Sequence, residues 1–157
     1  ARGIVLDVGH GGASFSFDVA KAALSRGLPP KTISTDLHNR SMDTSVWDMA
    51  TTMSKVLSLG MKFEDVVAAS TIAPRQAIKL PTDRLLEKGK PAEFTLFDLV
   101  DSDVTVKDSQ GATSTLHRLF EPRRAILGAE AVAAHRHVPA EGTAAGGHVC
   151  PHCGWKS

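Results

Sequence analysis

Two side chains near the start of the sequence belong to the types that bind divalent metal ions and move protons. His10 closes the run Gly3-Ile4-Val5-Leu6-Asp7-Val8-Gly9, and Asp36 closes Ile33-Ser34-Thr35. Imidazole and carboxylate together suit a divalent transition metal. A carboxylate beside a metal-activated water can also take its proton and pass it to a leaving amine or alcohol. His38, just beyond Asp36, points away from it if the strand continues, or turns back toward substrate from a loop. Gly11 and Gly12 permit either a close backbone approach to substrate or a tight turn. Asn39-Arg40 offers a planar cation to a substrate carboxylate, or is an ordinary loop pair. A separate cluster, His148-Val149-Cys150-Pro151-His152-Cys153-Gly154-Trp155, carries the Cys-x-x-Cys knuckle of half a zinc ribbon. A closed site takes about four ligands, and His135, His137, His148 and His152 are the nearby candidates to complete it.

Both His10 and Asp36 need an element to deliver them. Each follows a short Ile, Val and Leu run that breaks at a polar residue, the pattern of a buried strand presenting a side chain at its carboxyl end. Between them, Val19, Ala20, Ala22, Ala23 and Leu24 are the apolar positions of a helix. Asp18 is placed to cap it, and Gly27 with Pro29-Pro30 ends it. Ser14 to Phe17 alternates polar and apolar and reads as a very short strand. A strand, a crossover helix and a second strand run parallel, so both strand ends open on one side and His10 and Asp36 can face one cleft.

The rest of the chain reads as support. From Ser45, Val46, Met49, Ala50, Met53, Val56 and Leu57 recur at helical spacing up to Gly60, and Trp47 with the methionines reads as core. Lys62 to Ser70 makes a second amphipathic helix, with Phe63, Val66, Val67 and Ala68 inward and Glu64-Asp65 at its positive end. Strands are expected at Phe94 to Leu99, Val104 to Lys107 and Leu116 to Phe120, with Asp108 to Gly111 as a turn. After His135 the composition turns to Ala, Gly, His and Pro, which buries too little apolar surface to order itself.

Gly9-His10-Gly11-Gly12-Ala13-Ser14-Phe15-Ser16-Phe17, Ser34-Thr35-Asp36-Leu37-His38 and Thr51-Thr52-Met53-Ser54-Lys55 resemble the carboxyl-terminal half of an amidohydrolase-superfamily metallohydrolase, of the amidohydrolase/deacetylase, dihydroorotase-like branch. The resemblance runs from about Gly3 to about Ala134. Thr71 to Ala77 is similar to the family's Thr-x-x-Pro-Ala segment, with Arg75 where Ala is usual. Glu93 stands where the family has Asp, and the resemblance implies one more strand over Arg123 to Gly128, where the family often carries an apolar strand with Gly. The resemblance implies an α/β fold: the later part of a (β/α)8 barrel over residues 1–80, a small β-sheet appendage over 81–134 and a flexible tail over 135–157.

It also implies roles. His10 would be a metal ligand at the end of the sixth barrel strand. Asp36 would be a metal ligand and general base at the end of the eighth, and His38, Gly11 and Gly12 would lie at the substrate. The cofactor would be one or two divalent ions, most simply zinc, and the reaction hydrolysis of an amide or ester in a small molecule. The family's His-x-His, bridging lysine and fifth-strand histidine have no counterpart here. His135-Arg136-His137 has the spelling but no preceding apolar strand. The chain is therefore expected to start within a longer enzyme, to be inactive without the amino-terminal half, and to pair with that half or with a second copy of itself.

Composition is compatible with this. There are 18 Lys and Arg against 17 Asp and Glu, so no net field draws the chain to nucleic acid or an anionic membrane. No apolar run is long enough to span a bilayer, and both cysteines lie in the last residues, so a soluble cytoplasmic protein without a disulfide framework is expected. The competing expectation is a non-catalytic interaction module whose working part is a zinc site at Cys150 and Cys153.

Overall fold

A computed structural model describes residues 3–39, 41–82 and 87–139. Arg40, Leu85, Leu86, Cys150 and Cys153, with the whole Cys-x-x-Cys knuckle, lie outside the described residues. The chain opens with the expected crossover. Strand β1 (Asp7–Gly9), helix α1 (Phe17–Ser25) and strand β2 (Thr32–Ser34) place β1 and β2 as directly paired parallel neighbours, with Val8 opposite Ile33. Asp7 reinforces the pairing across the strands, its carboxylate accepting from Thr32 Oγ1 and Ser34 Oγ at 2.6 Å each.

Local chemistry sets the ends of α1. Ser16, in extended conformation, caps the amino end by accepting from the Val19 N–H, so the cap lies before the expected Asp18, which sits in the first turn and faces the helix dipole. At the other end Gly27 adopts φ +71, and the N–H groups of Gly27 and Leu28 close onto the carbonyls of Leu24 and Ala23. This paired closure needs a left-handed residue, which glycine supplies without a Cβ penalty. Ser14 to Phe17 is not a strand before the helix. Its alternation is real, with Phe15 and Phe17 buried, but Phe15 pairs with Ser109 in a hairpin turn.

Three helices follow: α2 (Met49–Ser58), α3 (Phe63–Ser70) and α4 (Ile72–Ala77). Helix α2 begins later than Ser45 because residues 41–47 wind through turns, with Trp47 at φ +67, and Asp48 is the cap, accepting from the Thr51 N–H at 2.6 Å. Strands β3 (Glu93–Lys107), β4 (Thr113–Leu127) and β5 (Glu130–Ala133) form an antiparallel sheet in that order. The expected strands at 94–99 and 104–107 are one long strand, with register irregularities between Leu96 and Phe97 and between Asp101 and Val104, and Arg123 to Leu127 continues β4. Strand β5 carries no burial alternation that a sequence pattern could reveal.

The β3–β4 hairpin shares its core with the helices. Phe120 packs with Ile33, Val56, Met61, Val66 and Ala69, and its ring stacks on Phe63 at 5.6 Å. Leu116, Leu119 and Val106 pack with Phe15 and Phe17 in a second cluster. The first residues of the stretch expected to be a flexible tail are docked: Arg136 pairs with Glu121 at 2.8 Å, and His137 donates its N–H to Asp48 and pairs its ring with Asp43. These charged contacts supply what apolar composition lacks there. By contrast, Ile4, Val5 and Leu6, expected as the body of a buried strand, are exposed, Ile4 at 73%. Among the described residues no helix is long and apolar enough to cross a membrane.

Asp108 joins the hairpin turn to α1. It is buried, and its carboxylate accepts the N–H groups of Phe17, Gln110 and Ala112 at 2.8 to 3.0 Å. Burial pushes its pKa up, but these backbone donors outweigh burial and hold it below the ordinary 3.8. A depressed folded-state value places its stabilising contribution above the unfolded carboxylate's pKa and removes it as pH falls through the lower folded value. Asp108→Ala should cost about 3 kcal/mol at neutral pH. Urea denaturation should show the deficit shrinking in strong acid, where the wild type has lost the part of this contribution that depends on the carboxylate's charge.

Candidate active site

The parallel ladder continues past β1 and β2. His10 N–H donates to Ser34 O at 3.1 Å and Gly11 N–H to Thr35 O at 2.9 Å, so His10 and Asp36 emerge at the same end of the two strands, as expected. From there their environments diverge. The His10 side chain is fully buried, its ring stacked on Phe15 at a centroid distance of 4.6 Å. Its Nδ1 lies 3.0 Å from the carbonyl oxygen of Gly11. A carbonyl can only accept, so Nδ1 carries the hydrogen and Nε2 keeps the ring's one lone pair. That lone pair faces Lys55 Nζ at 2.8 Å.

Lys55 is as buried as His10, and its ammonium also donates to the carbonyls of Ser45 and of Lys107, the latter at 2.8 Å. Desolvation, followed by the charge of Lys55, pushes the His10 pKa down to about 4. Desolvation also lowers Lys55 to about 8, against the opposing pull of Asp108 and Asp48. At neutral pH a neutral imidazole accepts from a charged ammonium. Lys55 was not among the expected site residues. The available signal was a lone lysine on a helix with no other charged residue, in step with Thr51, Thr52 and Val56, which are buried beside it.

Asp36 is exposed and sits at φ +46, a conformation that Asp tolerates better than most residues. Its carboxylate rests against Gly11: a Cβ built there would lie 2.5 Å from Asp36 Oδ2, and Gly11 itself is at φ +50. His38 is exposed, and its Nε2 lies over Gly12, 3.6 Å from where a Cβ would be; its backbone is tied to the Ser41 hydroxyl. The two glycines thus form a turn beneath Asp36 and His38. Ser109 Oγ lies within hydrogen-bonding distance of the His10 and Gly11 carbonyls, securing that turn to the hairpin.

The two expected metal ligands fit unequally. Asp36 presents an open carboxylate, suited to a divalent ion. His10 does not fit, because its one lone pair is already engaged by a cation. Among the described residues no group of three or more His, Cys, Asp or Glu side chains converges to hold a metal. The strand placement implied by the resemblance is also corrected. Sixth and eighth strands would have a seventh between them, whereas β1 and β2 are hydrogen-bonded neighbours joined by one crossover helix. The strands are therefore consecutive.

No family model matches the chain. It is 59% identical over 138 residues to a protein of Agrobacterium fabrum named deacetylase, covering 88% of this chain and 34% of that protein. A deacetylase of Brucella anthropi is 58% identical over 138 residues, covering 88% of this chain and 34% of its own length. One of Enterococcus faecalis is 35% identical over 130 residues, covering 82% and 35%. Among solved structures, a crystal structure of a dihydroorotase superposes with TM-score 0.85 at 59% identity, over 88% of this chain and 36% of that one. A crystal structure of an adenine deaminase gives 0.80 at 34% identity, over 85% and 36%. The chain thus spans about a third of the length of the curated relatives it matches.

The glycine turn can be probed directly. Gly11→Ala combines a positive φ with a clash against the Asp36 carboxylate, whereas Gly12→Ala meets only ordinary contact distances. Gly11→Ala should cost about 1–2 kcal/mol from the backbone conformation alone and move the amide resonances of residues 35–38. Gly12→Ala should leave both denaturation midpoint and those resonances nearly unchanged.

Proposed function

Because this chain belongs to the amidohydrolase superfamily, we propose that it is part of a divalent-metal-dependent hydrolase that cleaves an amide or ester bond in a small molecule, of deacetylase or cyclic-amidase type. The observation that carries this reading is the 59% identity to a protein named deacetylase across nearly the whole chain. The placement of Asp36 at the carboxyl end of a parallel strand, where α/β barrels gather their reacting groups, supports it. In the proposed whole enzyme β1 and β2 are adjacent strands of a (β/α)8 barrel, and the hairpin with β5 is the small β-appendage.

Asp36 is the group that handles the proton. Its exposed carboxylate takes a proton from the attacking water as the water oxygen bonds to the carbonyl carbon. It then returns that proton to the leaving nitrogen or oxygen as the scissile bond breaks, releasing an acid and an amine or alcohol. A divalent ion, most simply zinc, held in part by Asp36 would supply the Lewis acidity that makes water a nucleophile near neutral pH. The remaining ligands come from the part of the relatives' length that this chain does not span. His38, over Gly12, stands on the same rim and is placed to touch substrate.

The test uses the native-length protein that carries this chain, assayed on N-acetyl amino acids, acetylated hydroxy acids and cyclic ureides. Asp36→Ala should lower kcat on the accepted substrate by about 10²- to 10⁴-fold, the range for a lost general base, with a smaller change in KM. The 157-residue chain alone should turn over nothing. Bound zinc that survives Asp36→Ala but is lost with Cys150→Ser would instead assign metal binding to the carboxyl-terminal knuckle.

A further inference from the structure

We propose that His10 ligates no metal ion and is instead a positioning residue, locked by Lys55, that sets the Gly11 turn on which the Asp36 carboxylate rests. The inference deepens the reading of Asp36 as the reacting carboxylate and rests on it. Four contacts carry it. The Nδ1–H of His10 is committed to the Gly11 carbonyl at 3.0 Å, and Nε2 accepts from Lys55 Nζ at 2.8 Å, so neither ring nitrogen has a lone pair to offer. The other two protons of the Lys55 ammonium go to the carbonyls of Ser45 and Lys107.

An ion on Nε2 would occupy the place of the ammonium and set two cations side by side in a buried space. Swinging Lys55 out would strand the buried Ser45 carbonyl, at about 1–3 kcal/mol, and break the part-buried bond to the Lys107 carbonyl. The ring is also stacked against Phe15 at a centroid distance of 4.6 Å. What the lock achieves is visible one residue on. The Gly11 carbonyl held by His10 Nδ1–H and Ser109 Oγ fixes the peptide whose Cα supports Asp36 Oδ2. The line of support runs from Lys55 through His10 and Gly11 to Asp36.

The experiment compares metal content by elemental analysis with steady-state kinetics in the native-length protein. His10→Gln keeps an acceptor for Lys55. It should bind as many ions per chain as the wild type, with KM within about 2-fold and kcat down about 10-fold. His10→Ala should fall further in kcat, to about 10²-fold below wild type, the scale of a misplaced reacting group, again without loss of an ion. Asp36→Ala should lose an ion. If His10→Gln loses an ion as Asp36→Ala does, the proposal is overturned.

Should either His10 variant fail to fold, the wild type decides. In ¹⁵N-histidine-labelled protein loaded with ¹¹³Cd, His10 should show a protonated Nδ1 and no cadmium coupling at Nε2, and a resolved coupling there refutes the proposal. Failure of the Asp36 reading would register separately, as an Asp36→Ala protein with full metal content and activity.

Discussion

The ammonium of Lys55 is the interaction on which the rest of the molecule turns. Removing a charge from water costs several kcal/mol unless its protons are all met, and here a ring nitrogen and two backbone carbonyls meet them. Those acceptors come from three separate places: the end of β1, the turn ahead of α2, and the end of β3 at the hairpin tip. One buried cation therefore fixes the relative position of the crossover unit, the helical layer and the hairpin. It also dictates the state of His10, which must be neutral and must carry its hydrogen on Nδ1.

Around that lock the site is built in two tiers. The lower tier is closed: His10, Lys55, Ser109 and the Gly11 carbonyl are hydrogen-bonded to one another, Lys55 also to the Ser45 and Lys107 carbonyls, with Phe15 stacked on the His10 ring. The upper tier is open: Asp36 and His38 lie exposed over the two glycines. Under the proposed function the exposed groups need access and the groups that hold them in place need the opposite, so the division suits those tasks. The adjacency of β1 and β2 belongs to the same logic, since neighbouring parallel strands bring the buried support and the exposed Asp36 carboxylate close together at one end of the sheet.

The exposed Ile4, Val5 and Leu6 mark where the described residues leave a face uncovered. Parallel sheets are as a rule covered on both faces, and a two-stranded one is a small portion of such a structure. The relatives are about three times as long as the matched region. An exposed apolar segment leading into β1 agrees with the proposal that further barrel strands complete the enzyme.

The sequence by itself determined the elements that local chemistry controls. The crossover from β1 to β2, the stop at Gly27, the helix over Phe63–Ser70 and the turn at Asp108 to Gly111 are each written in apolar spacing, glycine and turn residues, because those signals act over a few neighbours. The residues that resemble amidohydrolases were legible in the same way, as contiguous motifs. Tertiary structure decided what distant neighbours make of them. Spacing marks His10 and Asp36 alike as polar residues at strand ends, yet one is sealed under Lys55, far along the chain, while the other stays open above Gly11. Likewise two expected strands became one, because β4 pairs with β3 on both sides of the break after Asp101, and Ser14 to Ser16 became the lead into α1, because Phe15 pairs with Ser109. The bonding state of a histidine depends on what fills its lone pair, and that is a contact across the fold that no local pattern encodes.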